Sequence, residues 1–465
     1  MILMFLMGSL AYAQKDSTTI YKKRVLESTE IDILSSYYKQ TGDNASVTGG
    51  IGNEELTDFT PTIIVSMPLN ADDVLTIDAG FSTYTSASSS NVNPFDKSGA
   101  SSNTNNTMEG SPWVASSGAS QKDTWTNLSV SYAHSSDDRN KKWSTNISFS
   151  NEYDYSSIGI GGAYTLQFNQ KNTEMGLSSN LFFDTWKAVY PTELKAYIDE
   201  EGDLDDGFFS NADILDINGN ITPKSGNTWN PDAFEKIKDK GRNTYAVSLS
   251  FSQILGKNAQ FSLFADIVMQ KGYLANPMQR VYFADKANYF IGNASSIPIY
   301  TSSENRDVFM LADDIERLPD TRFKIPVGAR FNYYFNEFLT LRTYYRYYKD
   351  DWGIQSNTIS VELPIKILGK LTLYPGYRFY NQSTADYFAP FDAHLSTDEY
   401  YTSDYDLSKF DANQWSIGLT YTDIFTSFHI GKFGLKSIDL KYNNYERNSG
   451  LKANYFAFGL KFVMD

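Results

Sequence analysis

Beyond residue 30, apolar and polar residues alternate with period two in runs of about ten, and this limits the possible folds more than any other feature. The clearest run is Phe323-Lys324-Ile325-Pro326-Val327-Gly328-Ala329-Arg330-Phe331-Asn332-Tyr333, apolar at odd positions and charged, small or polar at even ones. Ile359, Val361, Leu363, Ile365 and Ile367 alternate in the same way with Ser360, Glu362, Pro364 and Lys366. So do Leu371, Leu373, Tyr377 and Phe379 with Thr372, Gly376, Arg378 and Gln382. A soluble sandwich would bury the apolar face, whereas a membrane barrel turns it outward to lipid and the polar face inward to a lumen. Alternation alone does not choose between them.

Connection lengths do choose. Turn signals divide the chain into about sixteen strands. Short connections (Asn70–Asp73, Gly256–Asn258, Asn336-Glu337, Gly369-Lys370) alternate with long ones near 88–123, 187–242, 272–321 and 383–411. If consecutive strands are antiparallel neighbours, every long connection falls on one side. Short periplasmic turns and long outer loops mark an outer-membrane barrel. The expected fold is therefore all-β: a transmembrane antiparallel β-barrel of about 16 strands over residues 30–465. The final alternation of Phe456, Phe458, Leu460, Phe462 and Met464 suits a closing strand. Pro61, Pro326, Pro364 and Pro375 each forfeit a ladder bond and should mark bulges or local unpairing.

Residues 1–13 read as a signal peptide: Met1–Leu10 is almost wholly apolar and leads into Ala11-Tyr12-Ala13, although no Lys or Arg precedes it. Residues 14–29 would then be a periplasmic segment, and the mature chain is expected in the outer membrane of a Gram-negative bacterium. The absence of Cys excludes a disulfide framework, a zinc ribbon, a thiol nucleophile and a lipoprotein anchor. Forty Lys and Arg against 55 Asp and Glu leave a net charge of −15, which argues against a nucleic-acid-binding face. A mean hydropathy of −0.40 and the lack of any apolar run near 18 residues exclude a polytopic helical membrane protein. Aromatic residues make up 15% of the chain and suit interfacial girdles.

No enzyme motif is present: G-x-S-x-G, H-E-x-x-H and the P-loop are all missing, and the three His are scattered, so no catalytic residues are expected. Gly49-Gly50-Ile51-Gly52 joins two strands and reads as a tight outer loop.

The densest polar constellation is in the expected lumen. If Leu339 and Leu341 face lipid, then Arg342, Tyr344, Arg346, Tyr348 and Asp350 face inward, and neighbouring strands add Lys324, Arg330, Glu362, Lys366 and Arg378. Such a basic wall could line an anion-selective or ligand-binding constriction. We expect most of its charge to be met internally, by Glu362, Asp350, Asp351 and acids of folded-in loops. The outer loops are acidic, with eight acids and no Lys or Arg between Asp199 and Asp216. Asp216, Asn218 and Asn220 have the alternating oxygens of a calcium loop but lack the Gly and closing Glu of an EF-hand. No other cofactor is suggested. Pro191–Glu200 and the segment from Asn230 to Gly241 read as short helices, and the Ser/Asn-rich stretch 98–120 as mobile.

Several longer stretches carry a resemblance: Ala45–Thr57, Tyr84–Ser89, Glu152–Ser157, Pro277–Tyr282, Glu316–Arg322, Tyr344–Tyr348 and Tyr400–Leu407. From about residue 30 the whole chain resembles a family of exported Gram-negative proteins, common in Bacteroidota and known only as a domain of unknown function. The resemblance implies an outer-membrane barrel with no activity to carry over. It also implies a small lipoprotein as a partner in a redox-linked envelope pathway. Its charged members Arg280, Glu316, Arg317, Arg322, Asp404 and Asp406 lie at strand ends and in outer loops. If those loops fold inward, they should pair with Arg342, Arg346 and Arg378. The expected function is a porin-like channel or binding protein for a small solute, with outer-membrane lipid around it. The alternative is a non-conducting scaffold that docks a lipoprotein or redox partner.

Overall fold

The computed structural model describes residues 24–86, 121–152, 154–187, 190–226, 228–231, 239–301 and 308–465. The signal peptide, most of the periplasmic segment, the stretch 98–120 and most of the helix expected after Asn230 lie outside them.

Sixteen strands close into one antiparallel barrel. They are β1 (Glu30–Thr41), β2 (Leu56–Pro68), β3 (Asp73–Ser86), β4 (Gln121–Ser135), β5 (Lys141–Asn151), β6 (Tyr155–Phe168), β7 (Thr173–Trp186) and β8 (Lys240–Ile254). The second half comprises β9 (Ala259–Gly272), β10 (Thr321–Asn336), β11 (Leu339–Asp350), β12 (Gln355–Glu362, continued by Ile365–Leu368), β13 (Leu371–Gln382), β14 (Phe410–Thr422), β15 (Phe433–Arg447) and β16 (Lys452–Met464). β16 pairs with β1, placing Phe456 opposite Tyr37 and Leu460 opposite Ile33, and no edge strand remains.

The outward face is dominated by apolar side chains. Ile147, Leu177, Ile359, Trp415, Ile417 and Phe456 are each about half exposed or more. So continuous an apolar band would be untenable in water but is required facing lipid. No helix among the described residues is long and apolar enough to cross a membrane, so the strands do the crossing. The molecule is an outer-membrane β-barrel.

The prolines locally unpair the ladder without shifting its register. β2 and β3 pair through Phe59–Thr83 and resume at Thr62–Gly80, skipping Pro61. β9 and β10 skip Pro326 between Ala265–Val327 and Val268–Lys324. Pro364 divides β12 into its two pieces.

Of the loops following odd-numbered strands, the described parts of those at 42–55, 187–239, 273–320 and 383–409 fold into an outer cap with its own core. Leu194, Phe209, Ile214, Trp229, Tyr282, Ile291, Phe309 and Leu311 are all almost fully buried there. Residues 214–215, 290–292 and 308–310 form a three-stranded sheet, and 280–281 pairs with 314–315. The expected helix after Pro191 is present as α1 (Thr192–Asp199). Gly49, Gly50 and Gly52 all take positive φ. A Cβ on Gly50 would lie 2.6 Å from the Ser403 carbonyl oxygen, so only glycine fits where two loops meet.

The cap spans the mouth. Loop 42–55 rises between β1 and β2, and loop 273–320 rises between β9 and β10, half a circumference away. They meet where Arg280 donates to the Val47 carbonyl at 3.0 Å.

Candidate functional site: a charged lumen beneath a folded cap

Antiparallel register turns the period-two pattern into rows of inward side chains. Arg330, Tyr344, Ser360, Arg378, Gln414 and Tyr445 form one cross-strand row. Gly328, Arg346, Thr358, Tyr380, Ala412 and Arg447 form the next row outward. Lys324, Lys366 and Arg342 share the same inward parity.

The charges are met differently from the expected network. Arg342 donates to Glu362 at 3.0 Å, and Lys441 shares that carboxylate at 3.4 Å. Lys324, Arg330, Arg346, Lys366 and Arg378 have no carboxylate partner among the described residues. Arg330 instead lies beside the stacked Phe264 and Tyr344 rings, 5.6 Å from each centroid, and Arg346 lies 5.9 Å from the Tyr348 centroid. Across the lumen, the inward positions of β2 and β3 hold Asp58, bonded to Thr60 and Ser82, and Asp78, which has one buried oxygen without a partner. The lumen is thus polarised across its width, basic on β10–β13 and acidic on β2–β3.

The loops fold inward, but none of their charges pairs with Arg342, Arg346 or Arg378. Arg280 pairs with Glu193, Arg317 with Asp314, and Arg322 with Asp350. Glu316 accepts from the Asn276 amide at 2.6 Å, Asp404 from the Gln279 side chain at 3.2 Å, and Asp406 from Arg447 at 2.5 Å. The physical reason is reach. Each loop charge finds a partner at the cap or the upper rim before it descends to the rows of Arg342 and Arg378. Arg447 sits where the stem of loop 383–409 crosses β15 and intercepts Asp406. Asp350 anchors the short β11–β12 turn, accepting from Arg322, Tyr348 and the amides of Trp352 and Ile354.

The Asp216 segment is a self-bonded turn. Asp216 accepts from the Asn218 amide at 2.9 Å and from the Asn220 amide at 2.8 Å, and its second oxygen accepts from the Asn220 side chain. Both carboxylate oxygens thus brace the turn from within. No group of three His, Asp or Glu placed to hold a metal occurs among the described residues.

Where the cap meets the lumen, three carboxyls sit together without adequate countercharge. Burial, reinforced by the neighbouring Asp404, pushes the Glu316 carboxyl up to about 8. Partial burial, with Asp406 and Asp404 nearby, pushes Glu54 to about 7. Asp404 is raised by burial and by Asp406. Hydrogen bonds from Asn44, Asn276, Thr402 and Gln279, together with the Arg447 charge, oppose these shifts. The folded cap therefore holds protons that the unfolded loops release, starting near the ordinary value of 4.5. Its stability should fall as pH rises from about 4.5 towards 8 and level off above that. Hydrogen exchange of loops 273–320 and 383–409, corrected for intrinsic rate, should show less protection at about pH 8.5 than at about pH 5.5. Glu316→Gln should flatten the dependence.

Sequence reasoning overlooked Arg447, Gln414 and Lys441. For Lys441 and Arg447 the signal was available in the alternation of Asp439, Lys441, Asn443, Tyr445 and Arg447 with Ile438, Leu440 and Tyr442 along β15, and for Gln414 in its alternation with Trp415 and Ile417 along β14.

No curated protein matches the chain. Among solved structures it is similar to a bacterial polysaccharide outer membrane secretin, at 8% identity over 95% of this chain and 100% of that one, with a TM-score of 0.43. It is also similar to the outer membrane protein OpdK from Pseudomonas aeruginosa, at 9% identity over 94% and 99% of the two chains, TM-score 0.36. A third is a deletion mutant of TodX, a monoaromatic hydrocarbon channel, at 8% identity over 94% and 90%, TM-score 0.37. Likenesses this remote say nothing about what this barrel passes or binds. The family model described as "Protein of unknown function (DUF3570)" matches residues 3–456, nearly the whole chain, and the protein belongs to that family.

Proposed function

We propose that the barrel admits and binds small anionic solutes at the outer membrane, with the cap restricting entry to the lumen. The observation that carries this reading is the wall of Lys324, Arg330, Arg346, Lys366 and Arg378, inward-facing cations without carboxylate partners among the described residues. Holding like charges together without direct ion pairs costs stability, and an anion in transit offsets that cost. Sixteen strands enclose a lumen wide enough for water and small solutes. Enzymatic chemistry is no part of this reading. Lumen and outer-loop carboxylates, including Glu362, Glu316, Asp404 and Asp406, would shape the path rather than hold a metal.

A specific observation favours a second reading. The cap has a continuous apolar core and joins opposite sides of the mouth, as suits a closed scaffold that docks a small lipoprotein and conducts nothing. Swelling of proteoliposomes separates the two. Small monoanions should enter at least several-fold faster than cations or sugars of equal size. Heat-modifiable, correctly folded barrel that supports no swelling at all would overturn the channel reading in favour of the scaffold.

A further inference from the structure

Beneath the stem of loop 383–409, the two lumen rows and Asp406 of the stem line an open pocket of about 340 Å³, with Arg378, Tyr380, Phe410, Tyr445 and Arg447 in its wall. That volume lies at the lower end of the range for small-molecule pockets, about 300–1,000 Å³. We infer that this cavity is a binding site for a small aromatic monocarboxylate. The inference rests on the anion reading above and names the class of solute.

Charge sets the valence of the ligand. Arg447 is already neutralised by Asp406 and lies flat against Phe410, 4.4 Å from the ring centroid. Its Nε donates to the Tyr445 hydroxyl at 2.8 Å. Arg378 is exposed to the lumen and has no ion-pair partner among the described residues. One uncompensated guanidinium matches a monoanion. A phosphate dianion would remain under-neutralised here, and a planar carboxylate fits the parallel donors of a guanidinium fork.

The aromatic walls set the rest of the ligand. Tyr380 and Phe410 stand with ring centroids 5.6 Å apart, and Tyr445 closes the far side. Tyr380 packs on the buried Phe410 ring, and with Tyr445 it leaves aromatic surface beside Arg378 that would be wasted on chloride or acetate but would contact one side of a flat ring. The site is braced from behind. Gln414 donates to Asn443 and to the Tyr455 hydroxyl, each at 3.0 Å. Asn443, only 1% exposed and one row deeper, keeps its side-chain nitrogen without a hydrogen-bond partner. The roof is fixed to the wall by Gln382, which donates to the carbonyls of Asp406 and Ser408 at 2.9 and 2.6 Å.

Calorimetric titration of the detergent-purified, full-length barrel with benzoate, benzamide and acetate tests the assignment. Benzoate should bind one to one, at least about tenfold tighter than either neutral benzamide or ring-less acetate. Arg378→Gln should weaken benzoate about tenfold or more and leave the weak benzamide binding unchanged, and Arg378→Lys should recover part of the loss. Heat-modifiable mobility on gels verifies that each variant is folded. Benzoate binding that equals benzamide binding, or that survives Arg378→Gln, overturns the assignment. Anion-dependent swelling without benzoate binding sinks the pocket and spares the anion reading. Arg378-dependent benzoate binding without any anion preference in swelling does the reverse.

Discussion

Replacing Arg280 with Ala is expected to unfold the outer cap while the barrel stays closed. Arg280 is 3% exposed and its partner Glu193 is fully buried. The guanidinium fork donates to both carboxylate oxygens, at 2.6 and 3.0 Å, and its remaining nitrogen reaches the Val47 carbonyl. The Phe309 ring packs on it at 5.3 Å. One side chain therefore ties three loops rooted at separate points on the rim. Its removal leaves a carboxylate in an apolar core with no countercharge, at a cost of about 3–5 kcal/mol. Arg280→Lys should rescue little, because an ammonium cannot span both oxygens and Val47. The double variant Arg280→Met with Glu193→Gln should lose much less than Arg280→Ala, since no charge is stranded. Limited proteolysis within 187–226 and 273–301 reports the cap, and heat-modifiable mobility reports the barrel. The β1–β16 ladder does not depend on the cap, so the two readouts should separate. Unchanged protease resistance in Arg280→Ala would show that the ion pair is not what holds the loops together.

The second large effect is expected in the lumen. Reversing Arg346 and Arg378 together to Glu converts the middle of the basic wall into an acidic one, facing a side that already carries Asp58 and Asp78. Two unit charges about 4 Å apart interact by roughly 1 kcal/mol in water and about 4 kcal/mol at an effective dielectric near 20. Screening at about 0.1 M salt acts over about 10 Å, so a permeant ion at the wall still feels these charges. The ratio of anion to cation permeability should fall by an order of magnitude or more and invert. Arg342→Gln should do less, because that guanidinium is already balanced by Glu362.

The barrel was legible because its determinants are local. Phe323, Ile325, Val327 and Phe331 alternate in sequence, and the same residues stand exposed along β10. One-sided loop lengths carried the topology, and Pro191 marked the start of α1. The cap was not legible, because its contacts join residues far apart in loops that have no period. Glu193 and Arg280 are 87 positions apart, and Trp229 donates to the Ala312 carbonyl across 83. Nothing in either loop marks its partner. The basic wall fell between these cases. Period two gave the inward parity of Lys324, Arg330, Arg346, Lys366 and Arg378. It could not show that Asp406 would be captured by Arg447, because that depends on how the stem of loop 383–409 folds back over β15, its neighbour across β14. The polar face of β15 obeys the same rule as β10–β13 and would have yielded Arg447 had the alternation been followed to the end of the chain.

The most direct test of a polarised, anion-favouring lumen is the zero-current potential of the purified barrel in a planar bilayer under a potassium chloride gradient. The expected result is a potential displaced towards the chloride equilibrium value, moving to the potassium side when Arg346 and Arg378 are both changed to Glu. A potential on the potassium side for the unaltered protein, or one that stays put when both arginines are reversed, would contradict the account.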